Sequence, residues 1–191
     1  MKVIKITNIH VAEGPAVDVM PDSALQKSGK PFFIPEFAKN FEFKTAVAVH
    51  INRLGKNIAR RFAGRYYNEV GLCLVIEATD LREALQKSGA PWALATAFDG
   101  AIILGDGFPA EEVGLQSAEI SVSVDGNELE RITVAETLDV DGIIEYVSKY
   151  FTLKIGDYIL IEASGKSTKM TIDSHIKAEI QGRESVNIKV K

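Results

Sequence analysis

Apolar residues recur at every second position through much of this chain, the period of a half-buried β-strand. Between Phe43 and Ile51, Val47, Val49 and Ile51 fall on one strand face, while Lys44, Ala46, Ala48 and His50 fall on the other. The first of these faces reads as core. Val70 to Ile76 is a continuous apolar run and reads as a buried strand. Further strands are predicted at Met1 to Thr7, Ala101 to Leu104, Glu119 to Val124, Glu128 to Thr133 and Tyr158 to Ala163. Asp125-Gly126-Asn127 is turn chemistry that joins two of them as a hairpin. Near the end, Ile172, Ile176, Ala178 and Ile180, then Val186, Ile188 and Val190, give two more strands.

Helical spacing is rarer. Ile58, Phe62 and Tyr66 lie four apart and predict an apolar helix stripe, with Arg60, Arg61 and Arg65 on a solvated face. Asp80 is placed to cap a short helix over Leu81 to Lys87, with Glu83 positioned for a capping box and Gly89 and Pro91 to end it. Ile143, Ile144 and Val147 stripe a helix from Asp141 to Tyr150. The first forty residues combine a strand with a looped stretch holding Pro15, Pro21, Pro31 and Pro35, read as a segment that wraps the surface. With no internal repeat and no linker, residues 1–191 read as one mainly β domain with a few helices, of the α+β class.

The chain carries 22 Lys and Arg against 26 Asp and Glu, a net charge of −4. This balance lacks the basic footprint of a nucleic-acid partner. Cys73 is the sole cysteine, which excludes an internal disulfide or a cysteine zinc site, and an apolar strand is where a thiol is inert. Lys2, Lys5, His10 and Glu13 interrupt the amino-terminal apolar residues, and no run of eighteen apolar residues exists, so a cytoplasmic protein with no membrane partner is expected. Gly105-Asp106-Gly107 reads as a turn, and neither a phosphate loop nor a nucleophile elbow is present.

Particular strings then narrow the choice. Pro21-Asp22-Ser23-Ala24-Leu25, Gly29-Lys30-Pro31-Phe32-Phe33-Ile34-Pro35 and Ile51-Asn52-Arg53-Leu54-Gly55-Lys56-Asn57-Ile58 follow in order. Tyr66-Tyr67-Asn68-Glu69-Val70-Gly71-Leu72, Ala78-Thr79-Asp80-Leu81, Pro91-Trp92, Ala97-Phe98-Asp99-Gly100 and the stretch Tyr146 to Asp157 continue the series. From about Pro21 onward the chain resembles a compact bacterial member of the fumarylacetoacetate hydrolase family. The resemblance implies a mixed β-sandwich roll like that family's C-terminal domain, a homodimer with a symmetric interface, and hydrolysis, isomerisation or decarboxylation of small β-diketo or 2-oxo acids with Mg or Mn.

The same resemblance identifies what is missing. The family binds its cation through two glutamates at i and i+2 of one strand and an aspartate on the next, and these positions are Lys44, Ala46 and Val75 here. An ammonium, a methyl and an isopropyl group ligate no Mg, so no metal or other cofactor is expected. Family arginine and lysine positions hold Thr79 and Thr96, and a family Thr-Gly-Thr-Pro loop aligns with Ile161-Glu162-Ala163-Ser164. His10 and Glu13 fall near the family's catalytic histidine and glutamate but in a shortened segment, and take no role. Asp80 and Asp99 match family positions without being assigned to catalysis, while Trp92, Phe98, Tyr66 and Tyr67 are read as packing.

The expected vestigial pocket is formed by Lys44, His50 and Glu77, with Lys44 paired to Glu42 or Glu77 and no catalytic residue assigned. Two functions follow. One is a non-catalytic homologue, a pseudoenzyme that binds a small carboxylic acid or a partner subunit such as an active paralogue. The alternative is an enzyme acting on a small 2-oxo or β-diketo acid through Lys44, or through a cation held by Glu42, Glu77 and Asp99.

Overall fold

The computed structural model describes residues 1–7, 14–134 and 138–191. His10 and Glu13 lie outside the described residues. The chain lays down β1 (Val3–Thr7), β2 (Ala16–Met20), β3 (Leu25–Lys27), β4 (Phe41–Ile51) and β5 (Tyr67–Ala78). Helices α1 (Thr79–Lys87) and α2 (Ala93–Thr96) precede β6 (Ile102–Pro109), and α3 (Ala110–Val113) precedes β7 (Glu119–Val124) and β8 (Asn127–Thr133). Then come α4 (Val140–Tyr150), β9 (Tyr158–Glu162), β10 (Thr168–Lys169), β11 (His175–Ile180) and β12 (Arg183–Lys189).

Two sheets result. The larger has the order β2-β1-β9-β4-β5-β6-β3, with β10 paired to β4, and the smaller has the order β12-β11-β7-β8. Most pairings are antiparallel, but β1 with β9 and β3 with β6 are parallel, which makes the large sheet mixed. The main core lies between the sheets. Val47, Val49, Ile51, Leu72, Leu74 and Ile76 meet Ile120, Val122, Ile176, Ala178 and Ile188 there, and Ile144 and Val147 of α4 join the same cluster. This is the mostly β, mixed sandwich roll that the resemblance implied.

Turn chemistry explains both hairpins of the smaller sheet. Asp125 and Gly126 have φ of 53° and 79°, and Gln181 and Gly182 have φ of 52° and 70°. Two successive positive φ values define the turn whose twist matches paired strands.

Three local readings are corrected. The Ile58, Phe62, Tyr66 stripe forms no α-helix; Arg60–Arg65 is a 3-10 turn whose preceding Ala59 offers no side-chain cap. Gly64 within it disfavours continuation, and the Ile58 amide is held instead by the Ser148 hydroxyl of α4. Asp80 does not cap α1, which starts at Thr79, two residues earlier than predicted, behind an uncapped Ala78. Its carboxylate accepts the amides of Lys39 and Asn40 at 3.0 and 3.2 Å. The amino-terminal segment does more than wrap the surface, because β1 lies inside the large sheet between β2 and β9. Ile4 and Ile6 are fully buried there.

One buried carboxylate ties this segment down. Asp157 accepts hydrogen bonds from the Lys2 amide at 2.7 Å and the Lys154 amide at 2.8 Å, and is paired with the Lys2 ammonium. Its side chain is 1% exposed. Burial alone would raise its pKa, but the Lys2 ammonium and the two amides outweigh burial and hold the carboxyl below its ordinary value of 3.8. A depressed carboxylate pKa stabilises the fold above the unfolded-state value, and the contribution is lost as pH falls through the folded-state value. Asp157→Ala is therefore expected to cost about 2–4 kcal/mol at pH 7 in a denaturant melt, with the gap to wild type narrowing below about pH 4.

Cys73 is buried and its thiol is pushed up by desolvation. It is expected to resist a thiol reagent in native protein and to react at once in denaturant, which a colorimetric thiol titration reads directly.

Candidate functional site

The face of the large sheet opposite the main core builds the site. Because side chains alternate, Glu42, Lys44, Ala46, Ala48 and His50 of β4 share this face with Cys73, Val75 and Glu77 of β5 and with Tyr158, Leu160 and Glu162 of β9. The register sets Lys44 against Val75, Ala46 against Cys73, and Glu42 against Glu77. On the other side of β4, Ala46 faces Glu162 and Ala48 faces Leu160. The small residues are covered here as well: Ala46, Ala48 and Cys73 join Val3, Met20, Ala24, Ile102 and Leu160 in a second buried cluster. Both faces of β4 are therefore core along its middle, and polar side chains gather at one end.

At that end lies a cavity of about 210 Å³. Lys44, Ala46 and Val75 all line it, so the three positions aligned with the family's ligands converge in space. Lys5 and Asp18 approach from β1 and β2, Arg82 from α1, and Trp92 and Thr96 from α2. Its volume suits an acid of a few carbons rather than a drug-sized molecule.

The charges are paired around this space. The Lys44 ammonium donates to Glu162 Oε1 at 2.9 Å, with side chains 35% and 15% exposed. Lys5 pairs with Asp18 at 3.1 Å, and Arg82 Nη1 with Glu77 Oε2 at 2.7 Å. Glu42 accepts the Ser167 hydroxyl. The Lys44 partner is thus Glu162, neither Glu42 nor Glu77.

His50 lies six residues beyond Lys44 along β4 and does not line the cavity. Its ring packs on Tyr158 at 4.9 Å and its Nδ1 is buried without a partner among the described residues. Glu77 lines the cavity and holds Arg82. Asp99 sits exposed in a turn away from the cavity. Trp92, read as packing, instead lines the cavity with the Arg82 guanidinium 6.0 Å from its ring centroid. Phe98 does pack, edge-on against Phe37 and Phe41.

The residues present do not fit a divalent cation. A nitrogen cation occupies one ligand position and aliphatic groups the other two, and among the described residues no three His, Cys, Asp or Glu side chains are placed to hold a metal. Glu42, Glu77 and Asp99 do not converge. The arrangement offers instead a fixed ammonium beside a carboxylate, inside a small cleft. Arg82 escaped the sequence reading, and Glu162 was named there only within the segment aligned with the family's Thr-Gly-Thr-Pro loop, not as the partner of Lys44. The available signal for Glu162 was its alternation with Leu160, which places an acid on the Lys44 face; for Arg82 it was its place one helical turn beyond Thr79.

Among the described residues no helix is long and apolar enough to cross a membrane. The mouse mitochondrial oxaloacetate tautomerase is 29% identical over 190 residues, 98% of this chain and 86% of that protein. An Escherichia coli oxaloacetate tautomerase is 29% identical over 185 residues, covering 91% and 84% respectively. The fumarylpyruvate hydrolase of Pseudomonas aeruginosa, solved with Mn2+ and pyruvate, superposes with a TM-score of 0.84 over 100% of this chain and 90% of that one, and at 21% identity it speaks to the fold alone. The family pattern described as fumarylacetoacetate (FAA) hydrolase C-terminal matches residues 5–190. A match over nearly the whole chain settles the family: the chain belongs to the fumarylacetoacetate hydrolase family.

Proposed function

We propose that this protein catalyses keto–enol interconversion of a small 2-oxo acid, with the Lys44–Glu162 pair performing the work that the family gives to a metal. The observation that carries the reading is the Lys44 ammonium, in the cavity and 2.9 Å from a carboxylate. The relatives named as oxaloacetate tautomerases support the reaction class. Tautomerisation also demands the least of the site, since it needs neither an attacking nucleophile nor a co-reactant.

The steps close on themselves. The Glu162 carboxylate removes a proton from C3, the C–H electrons form the C2=C3 bond, and the carbonyl π electrons move onto the oxygen. The Lys44 ammonium stabilises that oxygen and delivers a proton to it, giving the enol. Protonated Glu162 then returns its proton to neutral Lys44 across the 2.9 Å separation, which restores both groups. Electrostatic stabilisation is strengthened here because the Glu162 side chain is largely shielded and Lys44 is only partly exposed.

The test follows decay of the enol absorbance of oxaloacetate in the presence of a chelator. Wild type is expected to exceed the uncatalysed rate, and Lys44→Met to lose about 10²–10⁴-fold in kcat/KM. Glu162→Gln should fall comparably, because the two groups act as a unit. A chelator-resistant rate unchanged in Lys44→Met would remove the proposal.

A second reading is favoured by the neutralised charge of Lys44: a homologue that binds a small acid or a partner subunit without turning anything over. It predicts the uncatalysed rate for wild type, together with a rise in Tm on adding a small carboxylic acid.

A further inference from the structure

Arg82 has hydrogen-bonding capacity that the protein leaves unused. Nη1 donates to Glu77 Oε2 at 2.7 Å, and the guanidinium lies over the Trp92 ring at 6.0 Å from its centroid. These two contacts fix both the position and the plane of the group. Its Nε, however, is buried and has no hydrogen-bond partner among the described residues. A buried N–H donor without an acceptor is unfavourable, and in native proteins such groups are rare enough to require an explanation. Arg82 lines the same cavity as Lys44.

We propose that the free edge of Arg82 receives the distal carboxylate of a dicarboxylic 2-oxo acid and thereby sets specificity for diacids over monoacids. The assignment rests on the reading of the Lys44 cavity given above. A guanidinium presents parallel N–H donors that match the two oxygens of a carboxylate, and the Nε edge is the one that Glu77 leaves unpaired when it engages Nη1. Spacing is consistent. Glu77, which holds Arg82, lies two residues along β5 from Val75, the register partner of Lys44. Two residues of strand amount to roughly 7 Å. Lys44 and Arg82 line one cavity, so the two ends of a single diacid can meet both, whereas a monoacid leaves Arg82 unfilled.

Arg82 is a positioning and specificity residue in this scheme, and its test is a ratio. Succinate and butyrate, a diacid and a monoacid of equal length, are titrated by calorimetry into wild type, Arg82→Met and Arg82→Lys. Arg82→Met is expected to lose about ten- to hundredfold in succinate affinity while butyrate affinity is unchanged. Arg82→Lys, which keeps the charge but not the planar fork, should recover only part of the loss. Arg82 is half exposed on a surface helix, and an unaltered Tm in both variants checks that the fold is intact. Equal losses for succinate and butyrate, or none for either, would overturn the assignment. Failure of the tautomerase reading is separable: there wild type shows no turnover, yet the diacid preference still disappears in Arg82→Met. Conversely, turnover lost in Lys44→Met with the diacid ratio unmoved in Arg82→Met would retain the reaction and refute the role of Arg82.

Discussion

The antiparallel pairing of β4 with β5 is the constraint on which the molecule depends. Its register runs from Phe41 opposite Ala78 to Ile51 opposite Tyr67, and it forms the spine of the large sheet. On one face it supplies Val47, Val49, Leu72 and Leu74 to the main core. On the other it places Lys44 across from Val75, next to Ala46 and two residues from Glu42 and Glu77. A one-residue slip would send every one of these side chains to the opposite face, exposing the core and burying the charges. Core packing therefore fixes the geometry of the cavity and holds Lys44, Ala46 and Val75 together on its wall.

Once the ligands are gone, electrostatics decides what the cavity can do. A single ammonium in a partly shielded cleft would be costly, and Glu162 offsets that cost at 2.9 Å. The pair is exposed enough to meet a small ligand and shielded enough for its charges to act strongly on a bound oxo group. Each cation lining the cavity is matched by a carboxylate: Lys5 by Asp18, Lys44 by Glu162, Arg82 by Glu77. Ion pairs of this kind hold the side chains in fixed positions before any ligand arrives, which is the condition for both selective binding and proton transfer.

Much of the fold was legible in the sequence because it is written in local periodicity. Period-two alternation located β4, β11 and β12, and Asp125-Gly126 announced its hairpin through the backbone conformations those residues accept. The shared face of Lys44 and Ala46 was readable for the same reason. What escaped depended on partners distant in the chain. Glu162 meets Lys44 only because β9 pairs with β4, 118 residues away, and nothing near Glu162 states this. Likewise β1 was visible as a strand, but its parallel pairing with β9 was not, so the amino-terminal segment read as a surface wrap. Arg82 sits on a helix that buries no residue completely, and its sequence context distinguishes it in no way from a solvated arginine. The Ile58, Phe62, Tyr66 stripe misled because spacing alone takes no account of Gly64 and an uncapped start.

The central claim is that a fixed ammonium has replaced the cation in this cavity, and metal titration tests it most directly. Mn is added to purified wild type and to a Lys44→Glu, Ala46→Glu, Val75→Asp triple variant, with binding followed by calorimetry and by Tm. The account predicts no saturable binding and no Tm shift for wild type, and the appearance of both in the triple variant. Saturable, stabilising Mn binding by wild type would contradict it.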